Sequence, residues 1–315
     1  MSIDFSEVID RIRELDGVEI RPGVPLSDYT TIRIGGPCAA LVEVRDPGAL
    51  IACMKLMRRE GFPPIEHFIL GGGSNLLVND RGFDGIILKL GEGFTDLIDA
   101  GNVLTVGAGY PLKDLSRQGV KSGWGGMECF VGLPGTVGGA VRMNAGAWGR
   151  EIWDFISWVH GVDRNGTERA FSRAEVTPGY RNGGLSREII VTRIGLAYVP
   201  EKPVLLKKRA RQYMTRRKKG QAVRYPSFGS VFKNPTGFHA GKLIDNLGLR
   251  GRREGDAMIS DAHANFIVNM GHARASDVLI LMREMKRGVR ESYGIELEPE
   301  VVFLGMTLEE LEGIS

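Results

Sequence analysis

Two glycine-rich strings in this 315-residue chain could hold a charged ligand with backbone alone. The first is Leu70-Gly71-Gly72-Gly73-Ser74-Asn75-Leu76-Leu77-Val78. Three glycines leave successive N–H groups uncovered, and such groups make an anion nest. Ser74 and Asn75 add side-chain donors, which a merely tight loop would not need. The second is Gly132-Leu133-Pro134-Gly135-Thr136-Val137-Gly138-Gly139-Ala140, followed by Met143-Asn144-Ala145-Gly146-Ala147. A stretch with so few side chains packs poorly by itself and suits a rigid planar partner. Two such clusters point to a large nucleotide cofactor held in extended form.

Other templates fail. Gly107-Ala108-Gly109 follows a strand pattern, but Leu112 stands where a dinucleotide fingerprint needs its third glycine. Gly241-Lys242 is followed by Leu243, so there is no phosphate-binding P-loop. HExxH and GxSxG strings are absent, and five scattered histidines support no metal site. Cys38, Cys53 and Cys129 are widely spaced and odd in number, which excludes a disulfide framework and reads as thiols in a reducing compartment. Net charge is +3, yet ten Lys/Arg and no Asp/Glu fall between Lys202 and Arg224, leaving the rest of the chain net acidic by seven. That strip is a solvated helix face or a strip for a phosphorylated ligand. With only Tyr213 and Tyr225 interleaved, small anions are favoured over nucleic acid.

The elements that must position these strings alternate in type. Phe5, Val8, Ile9, Ile12 and Leu15 predict a helix over 5–16. After a strand at 41–44, Asp46 is the expected N-cap and Pro47 the first residue of a second helix, ended by Gly61 and Pro63. Short strands are expected at 68–70, 86–88, 97–98 and 103–106, then a helix at 111–121. Strands near 155–163 and 167–171 are joined by the turn Arg164-Asn165-Gly166, and strands at 189–192 and 195–198 extend that sheet. A basic helix spans 202–220. Beyond Pro226 the pattern is a separate α+β unit: a helix at 240–247, a strand at 266–268, a helix capped by Ser276-Asp277, a strand at 301–304 and a last short helix at 307–315. Of the 44 glycines, 21 lie between Gly61 and Gly149, so close backbone approach is concentrated in one segment. The N-terminus reads as an acidic amphipathic helix without a signal peptide, and no apolar run approaches the ~20 residues of a membrane span. Nothing in the sequence specifies an oligomeric state.

Eight strings, in order, resemble those of the UDP-N-acetylenolpyruvoylglucosamine reductases: TTIRIGG (30–36), GGGSNLLV (71–78), GLPGTVGGAVRMNAGAWG (132–149), Tyr180-Arg181, YPSFGSVFKNP (225–235), AGKLID (240–245), DAHANFIVN (261–269) and LEPEV (297–301). They cover nearly the whole chain. The resemblance implies an α+β protein: a two-subdomain FAD-binding fold of the vanillyl-alcohol-oxidase type, at 1–80 and 81–205, plus a C-terminal α+β substrate domain at 206–300, with the tail 301–315 packing on the first. It implies a cytoplasmic enzyme that reduces UDP-N-acetylglucosamine enolpyruvate to UDP-N-acetylmuramate with NADPH through non-covalent FAD, with no metal, nucleic-acid or membrane partner. The short Arg181–Ser230 interval resembles the subtype that lacks an extra tyrosine-bearing substrate loop.

The same resemblance assigns roles. Thr31, Gly71, Gly72, Gly73, Ser74, Asn75, Gly132, Pro134, Gly135, Thr136, Gly138, Gly139 and Ala140 match the FAD-binding positions. Arg181 matches the arginine that polarises the substrate carboxylate, Ser230 the proton donor and Glu300 the glutamate beside that carboxylate. Two carboxylates side by side are costly unless one is protonated or paired. Glu298, two residues away on the same strand face, competes for the role. Tyr180, Lys218, Lys233 and Asn234 match substrate contacts, with Lys219 beside Lys218. By residue type alone, Arg181 would be a surface arginine after a turn and Ser230 a structural serine in a Gly-Ser turn. Two other readings stay open: a different flavin oxidoreductase on this scaffold, and a paralogue that binds FAD or UDP-sugar without turnover.

Overall fold

A computed structural model describes residues 6–58, 65–220 and 224–314. Its helices are α1 (Ser6–Arg13), α2 (Pro47–Met57), α3 (Leu112–Ser122), α4 (Val137–Met143), α5 (Pro203–Gly220), α6 (Ala240–Asn246) and α7 (Ala275–Tyr293). The chain divides into two compact units. The first takes residues 1–22, 39–72 and 85–216, and the second takes 23–38, 73–84 and 217–315.

The first unit carries two sheets. One has the strand order 18–22, 38–44, 83–90, 67–69. Val8 and Ile12 of α1 and Leu50, Cys53 and Met54 of α2 bury against Val42, Val44, Ile86 and Leu88. The N-cap of α2 forms as its sequence predicts: the Asp46 carboxylate accepts from the Ala49 N–H at 2.9 Å, with Pro47 at the first helical position. The predicted helix end at Gly61 and Pro63 lies outside the described residues, as does Phe5. The second sheet runs 168–172, 156–162, 190–197, 103–107, 97–99, antiparallel throughout. Helices α3 and α4 bury Leu112, Leu115, Val137 and Val141 against its Leu104, Val106 and Ile194. Here the expected pair of strands, 189–192 and 195–198, is one continuous strand. Gly195 is no break: the Trp158 ring crosses it where a Cβ would stand. Gly107 serves packing, because a Cβ there would stand 2.1 Å from the Phe94 carbonyl oxygen. The basic strip is helix α5, as expected. Arg209 anchors it, forking onto Glu201 and donating to the nearly buried Glu128 at 2.8 Å, and Tyr213 stacks on Trp148 with ring centroids 4.9 Å apart. Lys207, Lys208, Arg211, Arg216 and Lys218 remain exposed.

The second unit is built on a sheet ordered 227–230, 266–269, 257–259, 253–254, covered by α6 and α7. Val278, Met282, Met285 and Val289 of α7 are fully buried against it, the face that their helical spacing predicts. Strand 302–304 runs parallel to 76–78. Helix α7 begins one residue before the expected cap. Asp277 accepts from the Arg274 N–H, and the Asp80 carboxylate takes the N–H groups of Ala275 and Ser276 at 2.7 and 3.1 Å. A carboxylate distant in sequence thus does the work assigned to Ser276. Where a last helix is expected at 307–315, the described residues 308–314 form a series of turns; the Glu310 carboxylate accepts from Thr307 N–H, Asn79 and Arg81.

Candidate active site

In the first unit the two glycine strings meet. A Cβ on Gly71 would lie 2.8 Å from Thr136 Oγ1, and one on Gly72 would lie 2.6 Å from Gly135 Cα. Gly72 is therefore required where two backbones touch, and Gly71 where the Thr136 side chain comes close. Gly132 and Gly135 take φ of +75° and +99°, which side chains resist. Thr136 is the N-cap of α4, its Oγ1 accepting from Gly139 N–H at 3.2 Å. Val137 N–H and Gly138 N–H donate to Tyr110 and Ala108 carbonyls, fixing the loop against the sheet. Pro134 and Gly139 stay exposed, while Ala140 is buried. A methyl group added at Gly139 would have one atom within 4 Å, Thr136 Oγ1 at 3.4 Å. Nothing in the protein itself demands glycine there.

The chain passes into the second unit at Gly73, whose φ of +58° and contact with the Tyr29 carbonyl exclude a side chain. Among the described residues the N–H groups of Gly71 to Asn75 donate no backbone hydrogen bond. Unclaimed amides along a glycine loop fit the pyrophosphate of FAD. Thr31, placed among the cofactor positions, donates its hydroxyl to the Ser227 carbonyl at 2.7 Å and its N–H to the Gly73 carbonyl at 3.1 Å. Asn75 Nδ2 donates to the Glu300 carbonyl at 2.9 Å. Glu300 N–H in turn donates to the Val231 carbonyl, next to Ser230. Hydrogen bonds thus gather Thr31, Gly73, Asn75, Ser230 and Glu300 within this unit. Ser230 is not in a turn. It ends strand 227–230, paired with Phe266, after a register shift at Gly229, whose φ is +86°. Such a bulge re-aims a side chain at a sheet edge, and Ser230 is half-buried.

Neither Glu298 nor Glu300 lies on a strand, so the expected shared strand face does not form. The Glu298 carboxylate pairs with Lys233, while its carbonyl accepts the Lys233 N–H at 2.8 Å. Asn234 Oδ1 accepts from Ala240 N–H at 3.0 Å, at the start of α6. Lys218 lies exposed in the last turn of α5.

Arg181 belongs to the first unit and sits at the tip of a two-residue turn. Gly179 N–H donates to the Asn182 carbonyl at 2.8 Å, and Asn182 N–H returns a bond to Gly179 at 3.1 Å. Tyr180 and Arg181 project between them, the guanidinium 4.9 Å from the Tyr180 ring centroid. Arg181 has φ +56°. A left-handed conformation costs a side-chain-bearing residue about 1–2 kcal/mol, and such strain concentrates at functional sites. The C-terminal end of α4 holds the turn on both sides. Asn144 Nδ2 donates to the Gly179 carbonyl at 2.9 Å, and Gly183 N–H donates to the Arg142 carbonyl at 2.9 Å. The Arg142 guanidinium donates to the carbonyls of Leu185, Ser186 and Ile189. Residue types at 142 and 144 do not by themselves single these two out. The readable signal is an Asn just past a short helix, where a left-handed cap is expected.

The thiols stay out of this chemistry. Burial pushes Cys53 and Cys129 up to about 12, with Glu128 adding to the rise at Cys129, so both are protonated and inert. Among the described residues no cluster of His, Cys, Asp and Glu could hold a metal ion.

The chain is similar in sequence and structure to known proteins. Residues 38–172 match the FAD binding domain, and residues 221–304 match the UDP-N-acetylenolpyruvoylglucosamine reductase, C-terminal domain. UDP-N-acetylenolpyruvoylglucosamine reductase 2 of Symbiobacterium thermophilum is 39% identical over 304 residues, covering 96% of this chain and 98% of that protein. The Myxococcus xanthus UDP-N-acetylenolpyruvoylglucosamine reductase is 41% identical over 299 residues, with 94% and 95% covered. The crystal structure of UDP-N-acetylenolpyruvylglucosamine reductase from Thermus caldophilus superposes with a TM-score of 0.78 at 38% identity, covering 91% of this chain and 98% of that one. At this identity over nearly its whole length, the chain belongs to the UDP-N-acetylenolpyruvoylglucosamine reductase family.

Proposed function

We propose that Arg181, Ser230 and Glu300 carry the chemistry of this enzyme, an FAD-dependent oxidoreductase that reduces UDP-N-acetylglucosamine enolpyruvate with NADPH in peptidoglycan precursor synthesis. FAD, when bound, relays hydride between NADPH and the vinyl group. The protein's tasks are placement, charge stabilisation and proton delivery. Gly71 to Asn75 would hold the pyrophosphate through their free amides. Gly132, Pro134, Gly135, Thr136, Gly138, Gly139 and Ala140 would run along the rest of the cofactor, with Thr31 bracing Gly73.

As hydride reaches the terminal vinyl carbon, the electron pair of the double bond moves to the neighbouring carbon and into the carboxylate. Arg181 meets that charge with a planar fork, matched to a carboxylate in a way an ammonium is not. Ser230 gives its hydroxyl proton to the carbon beside the carboxylate and recovers one from solvent. Glu300 stands beside the same group and orders its surroundings. Tyr180, Lys218, Lys233 and Asn234 are assigned to the nucleotide sugar. Of these, Lys233 must exchange its Glu298 partner for a phosphate.

The domain assignment is 1–80 and 81–205 for FAD and 206–300 for the substrate, with the tail 301–315 on the first. The cytoplasm is the assigned compartment, supported by three cysteines that are free thiols. No nucleic-acid or membrane partner is assigned. Among the described residues no helix is long and apolar enough to cross a membrane.

The observation that carries this reading is the strained Tyr180–Arg181 turn of the first unit; within the second unit, Asn75 bonds the Glu300 carbonyl and Glu300 N–H bonds the Val231 carbonyl next to Ser230. Anaerobic stopped-flow absorbance near 450 nm tests it. NADPH should bleach the flavin, and the enolpyruvyl sugar should re-oxidise it. A protein that bleaches but is not re-oxidised by that sugar would overturn the substrate assignment.

A further inference from the structure

We propose that Asn144 is a positioning residue for Arg181, a role resting on the functional reading above. Asn144 is fully buried and occupies the left-handed cap of α4, with φ +44°. Glycine or asparagine suits that position, so the cap accounts for the backbone conformation and leaves the partners of the amide to be explained. Its Oδ1 is buried and has no hydrogen-bond partner among the described residues. Only the donor end is in use. Nδ2 gives one hydrogen to Glu151 Oε2 at 2.6 Å and the other to the Gly179 carbonyl at 2.9 Å.

Gly179 is the first residue of the turn that displays Arg181. Its carbonyl also accepts Asn182 N–H, the bond that closes the turn. Asn144 therefore grips the atom on which the turn's closure depends. Glu151 fixes the amide's orientation, so that the second hydrogen points at Gly179. On the far side of the turn, Gly183 is strapped to the Arg142 carbonyl, and a Cβ on Gly183 would run into the Val141 carbonyl. Residues 141–144 form a platform, and the turn is fastened to it at both ends.

A left-handed arginine relaxes if its turn is released. Relaxation would swing the guanidinium away from where charge develops, and a shift of about 1 Å can cost about 10²-fold in rate. The clamp serves the half-reaction that needs Arg181 and no other.

The test separates the cap from the clamp. Asn144→Gly keeps a residue suited to positive φ while removing both donated bonds. We expect its FAD content and its bleaching by NADPH to stay within about twofold of wild type, while re-oxidation by the enolpyruvyl sugar slows about 30- to 100-fold. In an Arg181→Lys background the same change should cost less than about threefold, because the fork it positions is already gone. Additive losses in the two backgrounds, equal damage to both half-reactions, or unimpaired re-oxidation would each overturn the proposal. If Asn144→Gly does not fold, Asn144→Ala replaces it: it removes the same two donors and sets no charge beside Glu151, at the cost of about 1–2 kcal/mol for a left-handed backbone. Wild type is run alongside: its failure to be re-oxidised would strike the functional reading, whereas a normal wild type with a normal variant strikes only the clamp.

Discussion

Replacing Gly139 by alanine separates glycine kept for the fold from glycine kept for the ligand. The added methyl meets one neighbour, Thr136 Oγ1 at 3.4 Å, and Gly139 lies in helix α4 at an unstrained φ. The protein alone should gain, since alanine in a helix is worth about 0.5–1 kcal/mol over glycine. For a chain of this size that is an increase of about 1–3 °C in the Tm of the flavin-free protein. The cofactor reading requires the opposite for FAD. If the cofactor lies against this backbone, an extra methyl costs about 1–3 kcal/mol of overpacking, which raises the Kd about 5- to 150-fold. Differential scanning fluorimetry of the deflavinated protein and titration of FAD by fluorescence quenching read the two terms separately. A raised Tm with FAD affinity within twofold of wild type would refute the placement of FAD along 132–140. A Tm lowered by several degrees would refute the claim that the space is open. Gly72 is the contrast: its Cβ would stand 2.6 Å from Gly135 Cα, so Gly72→Ala should damage folding and binding together.

Ser230→Ala should retain FAD and its reduction by NADPH but lose about 10²- to 10⁴-fold in re-oxidation by the enolpyruvyl sugar; equal loss in both phases of a stopped-flow trace would remove Ser230 as proton donor. Arg181→Lys should lower kcat/KM at least about 100-fold with flavin content unchanged, since a point charge replaces a fork. Near-normal steady-state turnover would end that assignment. Burial holds His67 and His263 below the ordinary imidazole range, with Arg58 and Arg250 respectively adding to the effect. The unfolded chain then binds protons near pH 6.5 that the native state refuses, so the stabilisation is complete above about pH 6.5 and is lost as pH falls through the depressed native values. Thermal melts should show Tm dropping between pH 7.5 and 5.5, and His263→Gln should flatten part of that drop. An unchanged slope in the variant would count against a buried neutral His263.

Much of the site was legible in residue order because its parts are made by local rules. A run of Gly71-Gly72-Gly73 exposes amides whatever surrounds it, and Asp46-Pro47 caps a helix within four residues of itself. Strand and helix periodicity placed α3, α5 and most strands for the same reason. The failures are the places where a distant residue decided. Asp80, about 195 residues away in sequence, caps α7 in place of Ser276, and Trp158 packs over Gly195 within a strand that runs unbroken from 190 to 197. The glycine strings were visible separately, but that Gly72 must be glycine because Gly135 touches it is a tertiary fact. So is the use of Asn75, whose amide serves the Glu300 carbonyl 225 residues on. Arg181 could be found by pattern, yet neither its left-handed backbone nor the Asn144 bond that holds its turn is encoded by neighbours in the chain. Sequence alone determines which groups are available, because hydrogen-bonding capacity and backbone freedom belong to residue types. Tertiary structure decides which of those groups are already engaged with one another and which remain free to meet a ligand, because hydrogen bonds and close packing join residues far apart in the chain.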